Sequence, residues 1–97
     1  MNGFRQLDNN LRQASDGAGI DYMDIRGFVI CLQNEGYSSS LELRKIYPVL
    51  GPHDNDPDKY IRIIDESDED YLYPASWFET VNLGNKLESR ILESLPA

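Results

Sequence analysis

Residues 60–73 hold the pattern that most restricts the fold. Tyr60-Ile61-Arg62-Ile63-Ile64 and Tyr71-Leu72-Tyr73 are short runs of β-branched and aromatic residues, and between them stands an unbroken polar stretch, Asp65-Glu66-Ser67-Asp68-Glu69-Asp70. Two strand-forming runs about a short polar segment predict an antiparallel β-hairpin. With Ser67 and Asp68 as the central residues of a tight turn, Ile64 faces Tyr71 and Ile63 faces Leu72. That register also sets Asp65 against Asp70 and Glu66 against Glu69, where like charges cost up to ~1 kcal/mol a pair. The tip is therefore wider than two residues or offset by a cation. A primed turn further needs positive φ, which glycine takes freely and Asp only tolerates.

The surrounding chain reads as more short strands. Phe28-Val29-Ile30-Cys31-Leu32 is an apolar strand ended by Asn34-Glu35-Gly36. Residues 41–50 form a second, with Leu41, Leu43, Tyr47 and Val49 at odd positions and the alternation broken at Lys45 and Ile46. Pro48 cannot donate to a ladder, which puts this strand at an edge or beside a bulge. Gly51-Pro52 opens a loop through Asp58, Pro74-Ala75-Ser76-Trp77-Phe78 reads as one tight turn, and Val81 and Leu83 end a last brief strand. Asn85 with Glu88 three residues on is a helix start, and Leu87, Ile91 and Leu95 with Leu92 make an apolar stripe. A helix this short is marginal alone, so the stripe must meet the β domain or a second subunit. Near the amino end Phe4, Leu7 and Leu11 stand at helical spacing ahead of Gly17-Ala18-Gly19.

At 97 residues the chain has the size of one domain. It divides into a partly helical extension over 1–26, a β domain over 27–83 and a carboxyl-terminal helix over 84–97. The expected fold class is mainly β with short terminal helices.

The order of short strands, hairpin, proline-headed turn and brief strand resembles an SH3-like small barrel of about five strands, here with a C-terminal helix added. Tyr47-Pro48-Val49-Leu50 is similar to the strand after the first long loop of such barrels, residues 60–73 to their distal hairpin, and Tyr73-Pro74-Ala75-Ser76-Trp77-Phe78 to the turn that reads aromatic or aliphatic, Pro, Ser, Asn, Tyr, Val. Residues 28–83 also resemble a family of small uncharacterised bacterial proteins whose hairpin reads Asp-Glu-Ser-Gly-Glu-Asp-Tyr-Leu-Tyr-Pro. The resemblance implies a fold and no activity. In SH3 domains the Pro and Tyr of the turn help floor a groove for proline-rich ligands, and Pro74 and Trp77 occupy those places. The paired tryptophans that open the third SH3 strand have Tyr60-Ile61-Arg62 in their stead. Polyproline recognition needs several aromatics forming adjacent grooves, and is not implied.

The formal net charge is −8, and residues 54–70 carry eight carboxylates against Lys59 and Arg62. A nucleic-acid binder needs clustered Lys and Arg, so no nucleic-acid partner is expected. The complement is a basic protein partner or a cation, and a solvated acidic loop without a partner is the plainer reading. Asp54, Asp56 and Asp58, followed by Asp65, space like a calcium loop, but Lys59 stands where the turn glycine belongs and Pro57 is inserted. They are a weak metal candidate.

Cys31 lies in an apolar run and is expected to be a buried thiol. His53 is the single histidine, and its spacing from Cys31 supports no catalytic pair. Glycine-rich phosphate loops and zinc-type clusters are absent, so the expectation is no cofactor and no enzyme. Without an apolar run of about 18 residues no membrane span is expected, and the start lacks a signal-peptide pattern, which makes the cytoplasm the default. The functional expectation is a protein-interaction module acting through Trp77, Pro74 and Tyr73 with the acids Asp68, Glu69 and Asp70. Its rival is a self-associating structural protein that forms a homodimer through its terminal helices.

Overall fold

In the computed structural model, which describes residues 20–95, a 3-10 turn at Tyr22–Asp24 leads into the first strand. The strands are β1 (Ile25–Cys31), β2 (Ile46–Leu50), β3 (Tyr60–Ile64), β4 (Asp70–Pro74) and β5 (Phe78–Val81), with a second 3-10 turn, Ala75–Trp77, between β4 and β5. A helix, α1 (Asn85–Ser94), closes the order. All pairings are antiparallel in one five-stranded sheet ordered β4-β3-β2-β1-β5. The mainly β class, the hairpin, the proline-headed turn and the C-terminal helix are those expected from the sequence. The amino-terminal helix expected over Phe4, Leu7 and Leu11 lies outside the described residues. Among the described residues no helix is long and apolar enough to cross a membrane.

Several boundaries move for local reasons. β1 begins at Ile25, inside the expected extension, and its register against β2 shifts between Ile25 and Gly27. Residues 41–45 do not extend β2. Arg44 takes φ 64°, donates its N–H to Cys31 O at 2.6 Å, and so turns the chain just where Lys45 and Ile46 break the alternation. Pro48 sits in a central strand opposite Phe28, yet β2 meets β3 only at Val49 and Leu50. The missing N–H therefore falls where β2 is locally an edge. Gly84, at φ 80°, caps α1 in place of Asn85, which is already helical.

Strand alternation makes two buried faces. One carries Val29, Cys31, Tyr47, Ile63, Tyr73 and Phe78, packed with Tyr37 and Leu41 from the loop after β1. The other carries Phe28, Pro48, Leu50, Arg62, Ile64, Asp70 and Leu72. Ile91 of α1 and Leu95, which follows it, approach this second face, although α1 has no fully buried residue.

Candidate interaction surface

The hairpin tip departs from the expected register by one residue. Ile64 pairs with Asp70 and Ile63 with Tyr71. Asp65 N–H donates to Glu69 O at 3.1 Å, Asp68 N–H to Asp65 O at 2.9 Å, and Asp68 takes φ 64°. A turn followed by a left-handed residue is the usual three-residue hairpin loop. The Asp65 carboxylate builds it: Oδ1 accepts the Ser67 N–H at 2.9 Å and the Ser67 hydroxyl at 2.6 Å, an Asx-type turn. Its other oxygen accepts the Tyr73 hydroxyl at 2.7 Å. Asp65 is thus buried and fully engaged instead of facing Asp70.

Asp70 is withdrawn too. The Arg62 side chain is 1% exposed; its Nε and Nη2 grip the two oxygens of Asp56 at 2.9 Å each, and its Nη1 reaches Asp70 Oδ2 at 2.7 Å. The His53 backbone N–H donates to Asp56 Oδ2 at 2.9 Å. A forked guanidinium suits such bidentate pairing, and burial makes it costly to lose either partner. The acidic run read from sequence as a solvated loop is therefore partly internal. Asp54, Asp58, Asp68 and Glu69 remain exposed. With both oxygens of Asp56 taken, Asp54, Asp56 and Asp58 do not converge, and among the described residues no group of three or more His, Cys, Asp or Glu is placed to hold a metal.

Tyr73, expected at the surface, is fully buried. Its ring lies 6.2 Å from that of Trp77, 6.3 Å from Phe78 and 5.5 Å, edge-on, from Tyr37. Tyr37 also meets Trp77 at 5.9 Å. Aromatic pairs of this kind each add about 0.5–1.5 kcal/mol beyond their burial. Trp77 and Pro74 are half-buried, held on the 3-10 turn, with the Trp77 carbonyl fixed by the Leu32 N–H at 2.8 Å. Tyr73 therefore ties the aromatic turn to the root of the acidic tip. The loop after β1 makes a second tie, since Tyr37 packs on Trp77 while the Ser40 carbonyl accepts the Glu66 N–H at 2.9 Å.

At the tip the Glu66 Oε2 accepts the Tyr47 hydroxyl and an ion pair from Lys45 Nζ at 2.7 Å, and the Tyr47 oxygen accepts the Glu42 N–H at 2.7 Å. Burial pushes the Glu66 carboxyl up, but the hydrogen bonds from Lys45 and Tyr47 outweigh it and hold the group below its ordinary 4.5. The bond to Glu66 raises the Lys45 ammonium. Burial, then the Glu66 bond, pushes the Tyr47 phenol well above its usual range. Composition and spacing point to neither this cluster nor the Arg62 cluster. The one available signal for the latter is a lone arginine within an apolar strand, which demands a buried carboxylate.

Cys31 is fully buried, and burial pushes its thiol up, which is the opposite of an activated nucleophile. The α1 stripe is incompletely covered, with Leu87 47% and Leu92 41% exposed. Compared with protein-family models, curated proteins and solved structures, the chain matches none.

Proposed function

We propose that this chain is a non-catalytic protein-interaction module that docks its partner on the face running from Pro74 and Trp77 to the exposed acids Asp68 and Glu69. The carrying observation is the double tie between these two places, through Tyr73 and through Tyr37 to Ser40, which holds a half-buried aromatic and an acidic tip in a fixed relation. Rigid Trp anchors are enriched in binding energy, and charges at a rim act on capture rate and salt dependence. A basic protein surface is the complement. Tyr73 and Asp70 support this face from inside and do not touch the partner. No nucleic acid, membrane or cofactor enters this role.

The test places a photo-crosslinking side chain at exposed Ser76 in the source cell and identifies what it captures. Trp77→Ala is then expected to weaken that partner by ~2 kcal/mol or more, and neutralising Asp68 and Glu69 to slow association, with folding of each variant checked by NMR. A partner indifferent to both changes, but lost when Leu87 and Leu92 are made polar, defeats this reading. The exposure of those two leucines favours one rival, a dimer joined through α1. Light scattering before and after removal of residues 84–97 discriminates it.

A further inference from the structure

Between α1 and the second face of the sheet lies an open cleft of about 260 Å³. Ile46, Pro48 and Ile64 line its sheet side, Ile91 and Leu95 its helix side, and Lys45, Glu66 and Asp68 its mouth. We propose that this cleft receives a lysine or arginine side chain from a basic, aliphatic segment of a partner protein. The site shares Asp68 with the proposed partner face but includes neither Trp77 nor Pro74, so Glu66→Gln and Trp77→Ala tell the two apart.

Size argues first. Sites for small molecules and cofactors run to about 300–1,000 Å³, so a cleft of this volume suits one long side chain better than a cofactor. Chemistry argues next. The walls are apolar and the carboxylates gather at one end, which matches a side chain that lays an aliphatic stem along apolar surface and keeps its charge at a polar rim. Of the three carboxylates that line the cleft, Asp65 is taken up by Ser67 and Tyr73, and the other two, Glu66 and Asp68, outnumber the single ammonium of Lys45. Glu66 engages both Lys45 and Tyr47 through Oε2. Lys45 itself shows that this mouth accepts a cation: its Nζ sits 2.7 Å from Glu66 Oε2 and 5.8 Å from the centre of the Tyr47 ring. Its side chain is 48% exposed, so a second cation reaches this rim from solvent. An acidic occupant would meet Glu66 and Asp68 as like charges.

The experiment uses the full chain with isoleucine methyls labelled, titrated with a short capped peptide of alternating lysine and leucine. Two peptides of equal length serve as controls, one with glutamate for lysine and one with serine for leucine. The methyls of Ile46, Ile64 and Ile91 are expected to shift saturably with the lysine-leucine peptide and to ignore the glutamate control. The serine control and the Asp68→Asn and Glu66→Gln variants are each expected to bind about tenfold more weakly or worse, while Trp77→Ala binds unchanged. Equal affinity for the lysine-leucine and lysine-serine peptides would reduce the effect to unspecific charge and overturn the proposal. Shifts centred on the Trp77 indole would do so as well. Concentration-dependent shifts of the cleft methyls in the free protein would assign the cleft to a second copy, and contacts from residues 1–19 to those methyls would assign it to the chain itself; either overturns the proposal.

Discussion

Arg62 and Asp70 share one face of the sheet because the hairpin pairs Ile64 with Asp70, and their side chains meet at 2.7 Å. In the register that a two-residue turn imposes, Asp70 stands opposite Asp65 and shares the face of Ile63, away from Arg62. A one-residue slip exchanges faces, so the turn and the buried ion cluster select each other. Replacing Arg62 leaves Asp56 and Asp70 buried without a cation. Arg62→Met is expected to destabilise by about 3–5 kcal/mol, whereas Asp70→Asn, which keeps an acceptor for Nη1, costs about 1–3 kcal/mol. Urea midpoints decide, and an Asp70→Asn loss close to zero would show that the Asp56 clamp alone carries Arg62.

Asp68 occupies the left-handed position of the tip at φ 64°. Glycine removes the steric cost of that conformation at some expense in chain entropy. Asp68→Gly is therefore expected to raise stability by up to about 1 kcal/mol. A lowered denaturant midpoint would mean that the charge of Asp68 near Lys45 matters more than its backbone.

The left-handed residue was legible because a polar tip between strand formers forces some residue there. The register was not, because it depends on Asp65 turning inward to bind Ser67 and Tyr73, and no periodicity reports a side chain's choice of partner. The same limit hid the cleft beside Lys45 and Glu66, whose lining draws on β1, β2, β3, the tip and the C-terminal helix. Trp77 is half-buried against Tyr37 and Tyr73, in keeping with the heavy contribution that large aromatics make to a small domain. Tyr73 was misplaced at the surface by its neighbour Pro74, although alternation along β4 sets the two residues on opposite faces.

Acid sensitivity follows from Glu66. Its folded pKa lies below the ordinary 4.5, since the bonds from Lys45 and Tyr47 outweigh the opposing effect of burial. Protons thus bind the unfolded chain more readily, and the stability gained is complete above the ordinary value and lost as pH falls through the depressed one. The urea midpoint of wild type is expected to exceed that of Glu66→Gln by a constant margin at neutral pH, and the margin to close below the ordinary carboxylate value. At the alkaline end the raised Lys45 and Tyr47 values reverse the sense, so the contribution of each is whole below its unfolded value and lost as pH rises through its folded one. A margin independent of pH would remove Glu66 from the acid response.

Millimolar calcium is expected to leave the melting temperature nearly unchanged, because Asp56 has both oxygens on Arg62 and a ligand stabilises only through its affinity for the native state. Magnesium serves as the control. A large calcium-specific rise would require Asp56 to leave Arg62, and an Arg62→Met background would then amplify it.

Trp77 and the α1 leucines are both partly exposed, but they differ in what holds them. Trp77 is packed against Tyr37 and Tyr73, so its truncation removes ring contacts in the monomer as well as any contact with a partner. Since a fully buried Trp→Ala change costs about 3–5 kcal/mol, a half-buried one is expected to cost roughly 2 kcal/mol. Leu87 and Leu92 lie on a helix that has no buried residue. Polar substitutions there are expected to stay within about 0.5 kcal/mol, as at ordinary surface sites. Urea unfolding at two protein concentrations separates the cases. The Trp77→Ala loss should be the same at both, because it belongs to one chain. A Leu87→Ser, Leu92→Ser loss above about 1 kcal/mol that grows with concentration would show that α1 is stabilised by a second copy, since association stabilises by mass action.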